Sequence, residues 1–197
     1  MLSLEQKKEK KKNIAKSTCE LFVEKGYVNI TISEIAKVAG VGKGTIYEYF
    51  ANKDEIIYEL MGCLQENYDG KLKEKLKHAV LVKEKLLFLF DIYFSEDDIV
   101  KVQRQIYREY LGIVLFKQNE KTEDFNTKMM SKYNNILENI FKEAINKNEI
   151  IEESLNFIPS IFATLEGFFI ANKEKQVVFE YIDDLFLLLK YENKEVA

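Results

Sequence analysis

Hydrophobic residues recur at intervals of three and four along most of the chain, the period of amphipathic helices. A first stripe, Ile14, Thr18, Leu21 and Phe22, predicts a helix over 6–25 that Gly26-Tyr27 brings to an end. Ile32, Ile35 and Ala36 give a short second face, and Ile46 and Phe50 a third. After Ala51, a run of Ile57, Leu60, Met61, Leu64 and Tyr68 predicts a long fourth helix, with Asn52 as N-cap and Glu55 three residues on to answer it. Five more follow, over 83–94, 97–117, 123–148, 155–173 and 176–191. The 83–94 segment is apolar nearly all round and is therefore expected to be central. The 123–148 segment is the cleanest amphipath, and Asn148 can stop it in the left-handed conformation. The pattern predicts an all-α fold of about nine helices.

The stretch 31–50 carries the most specific information. Thr31 and Glu34 have the spacing of a capping box. Gly40 supplies the positive φ that ends a helix, with Val41 packing beneath the turn. The helix that starts near Gly42 presents Lys43, Gly44, Thr45, Tyr47, Glu48 and Tyr49, while Ile46 and Phe50 point inward. Two short helices joined by a tight turn form a helix-turn-helix, whose second helix enters the major groove of DNA. A plain hairpin in a bundle has no reason to display two glycines, two tyrosines and a lysine on one short exposed helix.

Residues 13–60, above all Val41-Gly42-Lys43-Gly44-Thr45-Ile46-Tyr47-Glu48-Tyr49-Phe50 and Asn52-Lys53-Asp54-Glu55, resemble the N-terminal domain of TetR-type transcriptional regulators. The resemblance covers about a quarter of the chain in sequence and the rest only in helical layout. It implies a three-helix helix-turn-helix domain over 1–51, and a helical-bundle domain for ligand binding and dimerisation over 52–197. It also implies that Thr31, Thr45, Tyr47, Tyr49 and Lys53 touch the DNA backbone or bases. On chemistry, Lys53 and the Thr31 helix start suit phosphates. Lys43 suits guanine O6/N7, Thr45 a thymine methyl, and Glu48 a cytosine N4 donor, or else an exposed charge with no partner. Gly44 completes the reading helix. Gly42 departs from the Ser frequent in the family. No arginine lies in this region, so the expected operator is A·T-rich with few guanine contacts. A dimer implies a palindromic double-stranded operator.

Composition narrows the class. One Pro and eight Gly leave little room for β turns. The first fifty residues carry a net charge of +3 and the remainder −7, with five lysines in the first twelve positions. A basic head on an acidic body suits a protein that touches DNA at one end. Cys19 and Cys63 form no CxxC and read as reduced core thiols. The single His78 has no metal-ligand neighbours. No h-region and no apolar run long enough to span a membrane are present, so a cytoplasmic, membrane-free protein is expected. No paired-His motif, nucleophile with a base, or phosphate-binding Gly loop supports an enzyme; no catalytic residue, metal or cofactor is expected.

The last two helices carry apolar residues over more than one face, since Phe168 and Phe169, or Leu188 and Leu189, diverge by ~100°. A homodimeric four-helix interface, drawn from Phe162, Leu165, Phe169, Leu185, Leu188 and Leu189, would bury the surplus, and Gly167 would allow close approach. The family resemblance implies the same interface. Of the 29 basic residues only Arg104 and Arg108 are arginine, four apart on one helix. With Tyr68, Phe90, Tyr93 and Tyr107 they form a candidate pocket for an amphiphilic anion such as a fatty acid or acyl thioester. The alternative is an ion pair with Glu109 or another acid. The resemblance implies that effector binding shifts the fourth helix, with Met61, Leu64 and Tyr68 as the lever. The reading is a ligand-responsive homodimeric repressor; an activator or a non-enzymatic helical scaffold are the alternatives.

Overall fold

Ten α-helices and two 3₁₀ turns make up the described residues of the computed structural model, 3–117 and 120–190. In chain order they are α1 (Leu4–Ser17), α2 (Cys19–Asn29), α3 (Ile32–Val38), α4 (Lys43–Tyr49), α5 (Lys53–His78), α6 (Val82–Leu89), α7 (Asp98–Phe116), α8 (Glu120–Asn146), α9 (Ile158–Ile170) and α10 (Lys175–Leu189). The 3₁₀ turns are Asp91–Tyr93 and Glu152–Phe157. No helix among the described residues is long and apolar enough to cross a membrane.

Two local departures from the predicted pattern have physical causes. The expected helix over 6–25 is two helices. At the break, the buried Thr18 turns its hydroxyl back onto the Ala15 carbonyl at 2.6 Å, a local bond that competes with the helical one. The helix expected over 83–94 stops at Leu89 and passes into the 3₁₀ turn; being apolar on every side, it carried no mark of where it ends. The left-handed stop expected at Asn148 is present (φ +57°), and Asn172 (φ +50°) does the same after α9. The expected end of the last helix at Tyr191 lies outside the described residues.

The chain forms two compact units, Met1–Gly70 with Asp97–Phe125, and Lys71–Glu96 with Asn126–Ala197. The boundary expected between 51 and 52 is therefore not where packing divides the chain. The start of α5 and all of α7 belong with the helix-turn-helix, because α7 packs against α2. The first unit is built on Phe22, Ile35, Ile46, Phe50, Ile56, Ile57, Leu60, Ile106 and Tyr110, all buried. Tyr58 stacks on Phe125 at 5.5 Å, and Tyr110 meets both edge-on.

The second unit is built on Leu86, Phe90, Leu137, Phe141, Ile161, Leu165, Ile182 and Leu189. Phe162, Leu165, Phe169, Leu185 and Leu189 are buried by their own chain, with Phe162 against Phe90 and Tyr133, and Phe169 against Tyr93. Within the single chain they belong to its core. Of the six residues expected at the dimer interface, only Leu188 is exposed, at 70 %. The surfaces of α9 and α10 left open carry Ala163, Gly167, Ile170, Leu187 and Leu188.

Candidate DNA-binding site

The helix-turn-helix is assembled by local chemistry. Thr31 accepts from the Glu34 amide, and Glu34 reaches back to the Thr31 amide at 2.9 Å, so the capping box is closed. Lys25 adds an ion pair to Glu34 at 2.6 Å. With Thr31's amide and hydroxyl, this pair holds the Glu34 carboxyl down at about 2. At the other end of α3, Gly40 (φ +63°) donates to the Lys37 carbonyl and Val41 to that of Ala36 at 3.0 Å. That is the double bond of a Schellman turn, which turns the chain sharply into α4.

Gly42 is the N-cap of α4 and offers no side-chain bond. Ile46 and Phe50 are buried beneath it. Lys43, Gly44, Tyr47 and Glu48 are exposed, Tyr47 at 60 %, and Thr45 and Tyr49 are half-buried. The exposed residues Lys43, Gly44, Tyr47 and Glu48 share one face of α4, and Thr31 is exposed at the start of α3. The start of α5 is capped as expected on one side, the Glu55 amide donating to Asn52 at 3.1 Å. Glu55 returns to the amide of Ala51 at 2.8 Å.

Lys53 is held by main-chain carbonyls in this structure. Its ammonium donates to the carbonyls of Tyr27 (2.5 Å) and Ile30 (2.9 Å), with Val28 at 3.4 Å, and stands 4.3 Å from the centre of the Tyr27 ring. Burial, with Lys117 nearby, lowers its pKa. The ammonium thus ties the start of α5 to the main chain at the end of α2. The residues that hold this segment come from far along the chain. The Tyr27 hydroxyl meets Asp54, and Lys117 reaches both, at 2.9 Å from the hydroxyl and 3.0 Å from the carboxylate. Sequence reasoning missed Glu109, Gln105 and Lys117 because nothing in a one-dimensional pattern pairs positions ~80 residues apart.

The six candidate effector residues do not share a unit. Tyr68, Arg104, Tyr107 and Arg108 belong to the first, with Tyr107 stacked on Tyr110 at 6.0 Å. Phe90 and Tyr93 belong to the second, where their rings pack on Phe162 and Phe169. Glu109, weighed as an ion-pair partner of the arginines, accepts instead from the Tyr27 amide at 2.8 Å. Cys63 is buried and Cys19 half-buried, and burial raises both thiols; neither has the character of a reactive thiolate.

An all-α chain that closes a Schellman-turned helix-turn-helix and leaves the outer face of its second helix open defines a DNA-binding protein of the helix-turn-helix class. Residues 14–60 match the family model of bacterial regulatory proteins, tetR family. The fatty acid metabolism regulator protein of Bacillus subtilis (strain 168) is 31 % identical over 152 residues, 76 % of this chain and 75 % of that one. A solved FadR from Bacillus subtilis in complex with stearoyl-CoA is 27 % identical, with a TM-score of 0.62 over 90 % of this chain and 96 % of that one. A TetR-family regulator from Cytophaga hutchinsonii, at 20 % identity, shares the fold with a TM-score of 0.77 over 98 % and 100 %. The chain belongs to the TetR family and is a DNA-binding transcriptional regulator, not an enzyme.

Proposed function

We propose that the protein is a homodimeric repressor that leaves a palindromic operator when it binds an acyl thioester or a similar amphiphilic anion. The observation that carries the effector reading is the pairing of Arg104 and Arg108, the chain's two arginines, one turn apart on α7 beside Tyr107. Two guanidinium groups on one face suit a phosphate or carboxylate head group, and Tyr68 and Tyr107 supply apolar surface. The stearoyl-CoA in the Bacillus subtilis FadR structure supports the same ligand class. α4 reads the major groove through Lys43, Gly44, Thr45, Tyr47, Glu48 and Tyr49, with Thr31 on a phosphate. The dimer forms through the open faces of α9 and α10, at Ala163, Gly167, Ile170, Leu187 and Leu188.

The test begins with selection of genomic fragments by the purified protein at two salt concentrations. A palindrome is expected, bound more weakly at the higher salt. Stearoyl-CoA should then release it while coenzyme A alone does not. Arg104→Gln with Arg108→Gln should keep operator affinity and lose the release. Release by coenzyme A alone, or an unaltered response in the double variant, overturns the effector reading.

A further inference from the structure

The helical path of α2 breaks at Gly26, where φ is +71° and ψ 157°. In an unbroken helix the Tyr27 amide would donate to the Val23 carbonyl, four residues earlier. At this bend both groups are answered by α7. The Glu109 carboxylate accepts from the Tyr27 amide at 2.8 Å, and the Gln105 side-chain amide donates to the Val23 carbonyl at 2.6 Å. Gln105 and Glu109 stand four apart on one face of α7, the same separation as Val23 and Tyr27 on α2. Two side chains of α7 therefore replace one main-chain bond of α2. Gly26 is favoured by its positive φ, and a Cβ there would also crowd a Glu109 carboxylate oxygen at 3.1 Å. Lys117, the C-cap residue just past the same helix, adds a third grip, on the Tyr27 hydroxyl at 2.9 Å.

We propose that Gln105 and Glu109 are positioning residues for DNA binding, a clamp by which α7 sets the α2 bend and so the placement of α3 and α4. The chain passes from Tyr27 to the Thr31 cap of α3 within four residues, so the direction it takes at Gly26 is the direction in which the helix-turn-helix begins. An isolated helix-turn-helix lacks this bend's partners; α7 belongs to the DNA-reading unit although some eighty residues separate it in sequence. Arg104 and Arg108 each precede a clamp residue directly. On the effector reading, which this last step rests on, ligand at the arginines acts on the clamp through α7 itself.

The test uses the full chain, the selected operator fragment, and Glu109→Ala, Glu109→Gln and Gln105→Ala, each checked for thermal unfolding and oligomeric state. In Glu109→Ala the Tyr27 amide should exchange its hydrogen about tenfold faster or more, and operator affinity should fall by about tenfold, the scale of one lost charge-assisted bond. The slope of log affinity against log salt should stay that of the wild type, since no phosphate contact is removed. Glu109→Gln keeps an acceptor oxygen and should recover most of the affinity. Should Glu109→Ala fail to fold, Gln105→Ala, which frees the Val23 carbonyl, carries the affinity and salt-slope readouts. Folded variants that bind the operator like the wild type, or an unchanged Tyr27 exchange rate, overturn the proposal. The exchange measurement needs no DNA, so failure to select an operator would count against the proposed function and leave the clamp to be judged by itself.

Discussion

The ammonium of Lys53 lies 2.9 Å from the carbonyl oxygen of Ile30, at the first turn of α5 and the last residue before the Thr31 cap. It thereby ties the start of α5 to the entrance of the helix-turn-helix. Lys53→Met keeps the hydrocarbon stem and removes these bonds. The expected cost is about 1.5–3 kcal/mol of folding stability, the range for hydrogen bonds to a charged group, read by urea unfolding. Operator affinity should fall with it, but without the drop of about one in salt slope that the loss of a phosphate contact produces. A reduced slope would show that the side chain reaches DNA after all.

Acid should loosen the same region through Glu34. Its carboxyl is held at about 2, below the ordinary 4.5, first by Lys25 and then by the Thr31 amide and hydroxyl. A depressed folded value means that the contribution is complete above the unfolded value, about 4.5, and disappears as the pH falls through about 2. Glu34→Gln removes it at every pH. The gap in unfolding temperature between wild type and variant should close across that window. Glu143, held at about 2 by Lys147 and Lys85, titrates in both proteins and cancels from the comparison. A gap of constant size from pH 6 to pH 2 would show that the ion pair and cap add no stability.

The features that sequence made legible are those carried by neighbours in the chain. Thr31 and Glu34 are three apart, Gly40 closes its own turn, and Ile46 and Phe50 share a face, so each could be read from a short window. The burial of Phe162, Leu165 and Phe169 could not, because an apolar helix face looks alike whether its own chain or a partner covers it. The surroundings of Lys53 were hidden from the sequence for a related reason. A lysine at a helix start suits a phosphate, and only the folded path of Tyr27–Ile30 reveals three carbonyls within its reach. Gly26 was read as a helix end, and its real constraint, Glu109, stands 83 positions away.

The outer face of α4 should tolerate change in folding and not in binding. Tyr47 is 60 % exposed, so Tyr47→Ala should alter stability by no more than about 0.5 kcal/mol while operator affinity falls severalfold. Lys43→Gln should relax base preference at one G·C position of each half-site, a discrimination of about 1–3 kcal/mol for a base contact. Selection repeated with each variant reads both effects. An unchanged preferred sequence for Lys43→Gln would assign that lysine to the backbone.

The burial pattern of α9 yields opposite expectations for residues two positions apart. Leu165 is fully buried inside its own chain, whereas Ala163 is exposed on α9. Leu165→Ala removes core volume and should cost about 2–5 kcal/mol of stability, with the oligomeric state of the folded protein unaltered. Ala163→Glu leaves the core intact and places a charge on a face proposed to meet its own symmetry mate, so that two like charges are introduced across the axis at once. Leu188→Glu does the same from α10, where the residue is 70 % exposed in the single chain. Both should give folded monomers by light scattering, and both should lose operator binding, because a palindrome is held by two helix-turn-helix units together. A dimer that survives both substitutions would move the interface away from these faces, and monomers produced by Leu165→Ala alone would return it to the residues that the hydrophobic pattern first suggested.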